Sequence, residues 1–130
     1  MKLISTKDAP EAIGPYSQAV VANGLVYTSG QIALMPDGKM ESRGIEYQAK
    51  QVFKNLYYVL KEADSNFDHV IKTTIYLANM DDFEKVNEIY AYYFGNHKPA
   101  RSTVAVKTLP KNALVEIECI AAADKHVDFG

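Results

Sequence analysis

Arg101, Glu116 and Glu118 are the residues whose types and spacing point most directly to chemistry. In "NALVEIECIAA", residues 112–122, the two glutamates stand two apart in a run rich in Val, Ile and Leu. In a strand both carboxylates then leave one face, while Val115, Ile117 and Cys119 leave the other as core. Arg101 follows Pro99-Ala100 and opens the preceding β-type run, "RSTVAVK". The proline stiffens the approach and biases Lys98 towards extended geometry, so the guanidinium is offered as a fork for a carboxylate. If the last two strands pair as a hairpin, Arg101, Thr103, Glu116 and Glu118 share one face. A cation that anchors an anion then lies near a carboxylate that can orient or deprotonate water. The same residues also fit an interface ion pair, Arg101 to Glu116 or Glu118, and periodicity leaves both readings open.

Other candidates carry less. His69, His97 and His126 are far apart and lack metal-ligand spacing, so they read as surface or loop histidines and no metal is expected. Ser17 and Ser29 lie near glycines, but "TSGQ" is not a nucleophile elbow, and the glycines at 14, 24, 30 and 38 make no phosphate loop. Cys119 falls on the core face as a packing thiol. Asn87 lies beside an apolar helical stripe, where it bridges backbone groups or donates to a site. The tyrosines of "IYAYYF" read as packing.

These side chains need a scaffold, and turn signals cut the chain into short elements. Asn23-Gly24 separates two β-type runs in "AVVANGLVYTSG" and predicts a hairpin; "MPDGK" at 35–39 predicts a second turn. Residues 45–63 read as a helix with Ile45, Ala49, Val52, Phe53, Leu56, Leu60 and Ala63 on one stripe, and Glu46 and Lys50 paired off it. "HVIKTTIYLA", 69–78, reads as a strand, followed by a second helix with Asp81 and Glu84 as a capping box; Phe83, Val86, Tyr90 and Phe94 form its stripe, and Gly95 its stop. The order β-β-α-β-α-β-β predicts an α+β fold with both helices on one face of a sheet. Ile71, Ile75, Leu77, Val104 and Val106 are expected on the helix side. Lys72, Thr74, Tyr76, Arg101, Thr103 and Ala105 are expected on the other side, with both glutamates. That second face mixes polar and apolar residues, as faces buried against another subunit do, so a homo-oligomer with sites at its seams is expected.

The length of 130 residues suits one domain, 1–130, large enough to bury a core without disulfide or metal support. Composition is globular, and a net charge of −2 gives no footprint for nucleic acid. The single cysteine, the lack of a signal-peptide core in "MKLISTKDAP" and the lack of a membrane span predict a cytoplasmic protein. "DKHVDFG" extends past the last motif as a free tail or against a neighbour.

"IGPYSQAV", "VYTSGQIAL", "VIKTTIYLANMDDFEKVNEIYAYYF", "PARSTVAVKTLP" and "VEIECIA", collinear over nearly the whole chain, together resemble the RidA (YjgF) family. The resemblance implies a chorismate-mutase-like α+β fold with a mixed sheet, a homotrimer with active sites between subunits, and no cofactor. It implies hydrolysis of 2-aminoacrylate-type enamines and 2-imino acids, such as 2-iminobutanoate and 2-iminopropanoate, to 2-oxo acids and ammonia. By motif position it makes Arg101 the carboxylate anchor and Glu116 the residue that positions water. Tyr16, Ser29, Gly30, Asn87 and Thr103 are then substrate-binding, and Thr103 stands where a bacterial subgroup has cysteine. Two other readings stay open. The Arg101 cleft would equally serve a regulatory protein that holds a 2-oxo acid without turnover. Some family members also carry a ribonuclease or translation-inhibitor label, against which the acidic balance argues.

Overall fold

Asn23 and Gly24 take positive φ, 52° and 75°, and close the tight turn expected of them. Around that turn the structure, a computed structural model, describes residues 1–123; His126 and the DKHVDFG tail lie outside the described residues. The elements run β1 (Lys2–Ile4), β2 (Ala19–Ala22), β3 (Leu25–Thr28), α1 (Ile45–Glu62), β4 (Val70–Leu77), α2 (Phe83–Phe94), β5 (Ala100–Ala105) and β6 (Val115–Ala122). The strands form one mixed sheet in the order β1-β2-β3-β6-β4-β5, and both helices pack on one of its faces. The predicted order is present with one addition: β1, three residues long, pairs antiparallel with β2 and is too short to show an alternation of its own.

Both helices follow their apolar stripes. Val52, Phe53, Leu56 and Leu60 of α1 meet Val86, Ile89, Tyr90 and Phe94 of α2 over Ile75, Leu77, Val115 and Ile117. Phe53 is central: it stacks on Tyr93 at 4.9 Å and meets Phe67, Tyr90 and Phe94 edge-on. Glu46 and Lys50 pair at 3.1 Å on the exposed side. The entry to α2 departs from the expected capping box. Asn79 Oδ1 accepts the Asp81 N–H at 2.8 Å and starts a single 3-10 turn, Met80–Asp82, which leads into α2 without a side-chain cap. Gly95, at φ 58°, ends the helix as predicted.

The last two strands do not pair with each other. α2 carries the chain back over the helix layer, so β5 enters parallel to β4 at the sheet edge; β6 lies on the other side of β4, antiparallel to it and to β3. The register sets Arg101, Thr103 and Ala105 opposite Thr73, Ile75 and Leu77, on the helix side. Val104 lies opposite Tyr76 on the open side and is 45% exposed. The faces of β5 are therefore the reverse of those expected. In β4 a shift of register between Val70 and Lys72 leaves Ile71 exposed and gives Val70 the core position. The open side of the sheet carries Leu3, Val20, Tyr27, Ile120 and Lys72 in one row, then Thr74 opposite Glu118 and Tyr76 opposite Glu116. Among the described residues no helix is long and apolar enough to cross a membrane.

Candidate functional site

The acidic part of the site grows from β6. Alternation on a strand buried on one side turns Glu116 and Glu118 to the open face, as expected. Gln31 exchanges backbone hydrogen bonds with Ile117, 2.9 and 3.1 Å, and so holds the adjoining chain against β6. Gly30 then lies so near Glu116 that a Cβ there would sit 2.5 Å from the carboxylate Oε2. Glycine is needed here for close approach. A cavity of about 260 Å3 opens beside them, with Glu116, Gly30, Tyr16, Ile13, Ile32 and Lys111 among its walls. Burial first, and the Glu118 charge second, push the Glu116 carboxyl above the usual carboxylate range. The Tyr76 hydroxyl donates to Glu118 Oε1 at 3.3 Å, which ties that second acid to the sheet.

Buried polar side chains hold the walls. Gln18 accepts the Thr6 N–H at 2.7 Å and donates to the Pro10 carbonyl at 2.8 Å. Asn55, wholly buried on α1, donates to the carbonyls of Ile32 and Leu34 at 3.2 and 2.8 Å. The Ser29 hydroxyl donates to the Ser17 carbonyl and so fixes the loop that carries Gly30. Neither Gln18 nor Asn55 was marked by the sequence patterns above. The available signal for Asn55 is its place between Val52 and Leu56, a polar residue inside an apolar stripe.

The basic part grows from β5 and α2. Arg101 Nη1 donates to Asn87 Oδ1 at 2.6 Å, and its Cζ lies 4.8 Å from the Tyr90 ring centre and 5.4 Å from that of Phe83. Thr103, two residues along the same face, has a buried hydroxyl with no hydrogen-bond partner among the described residues. A groove of about 420 Å3 runs past Arg101, Asn87 and His97. His97 Nε2 donates to the Val70 carbonyl at 2.6 Å and pins the end of α2 to β4, so this histidine has a structural partner. Cys119 is buried in the core, and that burial pushes its thiol up to about 12, consistent with a packing role. Among the described residues no group of three or more His, Cys, Asp or Glu is placed to hold a metal.

Seven candidate residues thus fall into two sets. Tyr16, Ser29, Gly30 and Glu116 surround or support the cavity, whereas Asn87, Arg101 and Thr103 lie on the helix side of the sheet edge. Within one protomer Arg101 and Glu116 stand on opposite faces, since Arg101 pairs with Thr73 and Glu116 with the adjacent-parity Tyr76. The expectation of one shared face is corrected by β4, which separates β5 from β6.

Residues 6–123 match the family described as Endoribonuclease L-PSP. The chain is 55% identical over 122 residues to AldR, a candidate regulator of Lactococcus lactis, with 93% of this chain and 97% of the relative covered. It is 48% identical to the human protein named 2-iminobutanoate/2-iminopropanoate deaminase, covering 92% of this chain and 88% of that one. The crystal structure of yeast Mmf1 matches with a TM-score of 0.92 at 45% identity, covering 94% and 98% of the two chains. By its sequence over nearly all the described residues and by its fold, the chain belongs to the Endoribonuclease L-PSP family, the RidA (YjgF) family that its five motifs resemble.

Proposed function

We propose that this chain is a deaminase of 2-iminobutanoate, 2-iminopropanoate and their enamine tautomers, working as a homotrimer with sites between subunits. The observation that carries the reading is the split between Arg101 with Asn87 and Glu116 with Gly30 on opposite sheet faces. Each set is locally ordered, yet one protomer does not turn both towards one small ligand. A second copy supplies the missing half. β5 is one of the two edge strands of the sheet, and the open face exposes Leu3, Tyr27 and Val104, features that call for cover by another chain.

In the proposed reaction a protonated 2-imino acid and water give a 2-oxo acid and ammonium. Arg101 holds the substrate carboxylate through paired N–H donors, with the Thr103 hydroxyl, which has no partner among the described residues, beside it. The partner subunit's Glu116 aligns water at the imine carbon and accepts a proton as the C–O bond forms; it then returns that proton to the nitrogen, and the carbinolamine collapses to the C=O as the C–N bond breaks and ammonium leaves. Its raised pKa makes it a better proton acceptor than an ordinary carboxylate. A protonated imine is already an electrophile, so orientation and a placed water suffice without a cofactor. Tyr16 closes the cavity. Ser29 and Gly30 shape its floor, and Asn87 completes the Arg101 side. A cytoplasmic location belongs to the same reading and rests on the lone cysteine.

The test is release of 2-oxobutanoate from imine generated by threonine dehydratase, which the protein should accelerate. The name of AldR, a candidate regulator, at 55% identity, favours a second reading, a regulatory role, for which we propose 2-oxo acid binding without turnover. Tight binding of 2-oxobutanoate with unchanged imine lifetime would establish that reading instead. RNA cleavage lost in Glu116→Gln would instead support the endoribonuclease description.

Gly30→Ala provides a sharper check on the acid. Only the mobile end of Glu116 must yield to the new methyl, so the variant should melt near wild type. The carboxylate leaves its place, however, and kcat should fall roughly 100-fold. Full kcat in a folded Gly30→Ala protein would remove Glu116 from the mechanism as drawn.

A further inference from the structure

α2 presents Phe83, Asn87 and Tyr90 to Arg101 from a single helical stripe. Of these, Tyr90 is the most firmly held. Its ring is buried between Phe53, at 5.9 Å, and Phe94, at 4.4 Å. Its hydroxyl lies 2.9 Å from the buried Thr73 Oγ1, and Thr73 is the residue directly opposite Arg101 on the neighbouring strand. The tyrosine is therefore bonded to the strand position beside the arginine, with its ring centre 4.8 Å from the guanidinium carbon. The hydroxyl already has its partner, so what Tyr90 offers Arg101 is the negative face of the ring.

We infer that Tyr90 is a positioning residue for Arg101: the Thr73–Tyr90 hydrogen bond fixes a ring whose face holds the guanidinium, leaving its other N–H groups preset for a carboxylate. The inference rests on the reading that Arg101 is the carboxylate anchor. Its physical basis is preorganisation. An exposed arginine on an edge strand samples many rotamers, and binding must otherwise restrict them. Asn87 constrains one guanidinium nitrogen, and the ring adds the face contact that sets the plane. Because the ring acts on the anchor and not on water, its loss should appear in binding and KM, with little change in kcat.

The experiment compares Tyr90→Phe with Tyr90→Leu, reading 2-oxobutanoate affinity by calorimetry and KM and kcat by imine hydrolysis. Phe keeps the ring and its packing between Phe53 and Phe94 but loses the bond to Thr73, so affinity should fall measurably yet by no more than about threefold. Leu removes it, and affinity should fall about tenfold with KM rising in step and kcat within about twofold. If the leucine variant does not fold, phenylalanines bearing successively more ring fluorines at position 90 keep the shape and weaken the face. Affinity should then fall stepwise along the series. Affinity that is flat across the series, or a folded leucine variant that binds as tightly as wild type, overturns the inference. Arg101→Ala measured alongside separates the two levels. If it too binds like wild type, the anchor reading fails and this inference with it. If it loses binding while the Tyr90 variants do not, the positioning role alone fails.

Discussion

Arg101→Ala should lose about 2–4 kcal/mol of transition-state binding, roughly 30- to 1,000-fold in kcat/KM for 2-iminobutanoate, while the protein remains folded. The guanidinium is the cation that Asn87 and the rings of α2 hold at the β5 side, and a small imino acid has one group that matches it, its carboxylate. The carboxylate carries charge in the ground state and in the transition state alike, so much of the loss should fall in KM, with a smaller part in kcat from poorer alignment. Arg101→Lys keeps the charge but not the fork, and should recover only part of the loss. Stability should change little, because the side chain is exposed on an edge strand and makes one hydrogen bond and two ring contacts. Steady-state kinetics with a thermal melt measures both. Wild-type kcat/KM in the alanine variant would sink the anchor role, and unfolding would contradict the edge-strand account.

The helices, the Asn23-Gly24 hairpin and the outward glutamates of β6 were legible because each rests on a strong local contrast. α1 sets an apolar stripe against lysines, and β6 sets Val115, Ile117 and Cys119 against Glu116 and Glu118. β5 lacks that contrast. It lies at the edge, is largely exposed on both faces, and its alternate residues, Arg-Thr-Ala against Ser-Val, differ little in polarity. Its facing is set by the parallel register with β4, which depends on where α2 returns the chain. No residue within "RSTVAVK" encodes that distance. The supports of the cavity were hidden for a related reason: Gln18 and Asn55 bind backbone carbonyls, and carbonyls are common to every residue. The capping box failed because Asn79 begins the turn before Asp81 can cap the helix. Motif likeness pointed to Arg101 and Glu116, but only register shows that the arginine and the acid diverge within one chain.

That divergence has a consequence that neither single variant tests. Measured as kcat/KM, Arg101→Ala and Glu116→Gln should each be strongly impaired alone, yet an equal mixture assembled together should recover about a quarter of the wild-type value. In the proposed homotrimer each site between subunits would draw its arginine from one chain and its acid from the next. Half of the chains retain the arginine and the other half retain the acid, so about one site in four receives both. A site built within one protomer cannot recover, since every chain lacks one of the pair. The reverse mixture sharpens the distinction. Wild type assembled with an equal amount of the Arg101→Ala/Glu116→Gln double variant should again leave about a quarter of the sites intact if they are shared, but about half if each lies within a chain. Native mass spectrometry must show mixed assemblies for either result to count. Mixed trimers with no recovered activity would require Arg101 and Glu116 to act from the same chain. That would demand that β5 leave the edge of the sheet or reverse its faces, against a register of six consecutive residue pairs with β4.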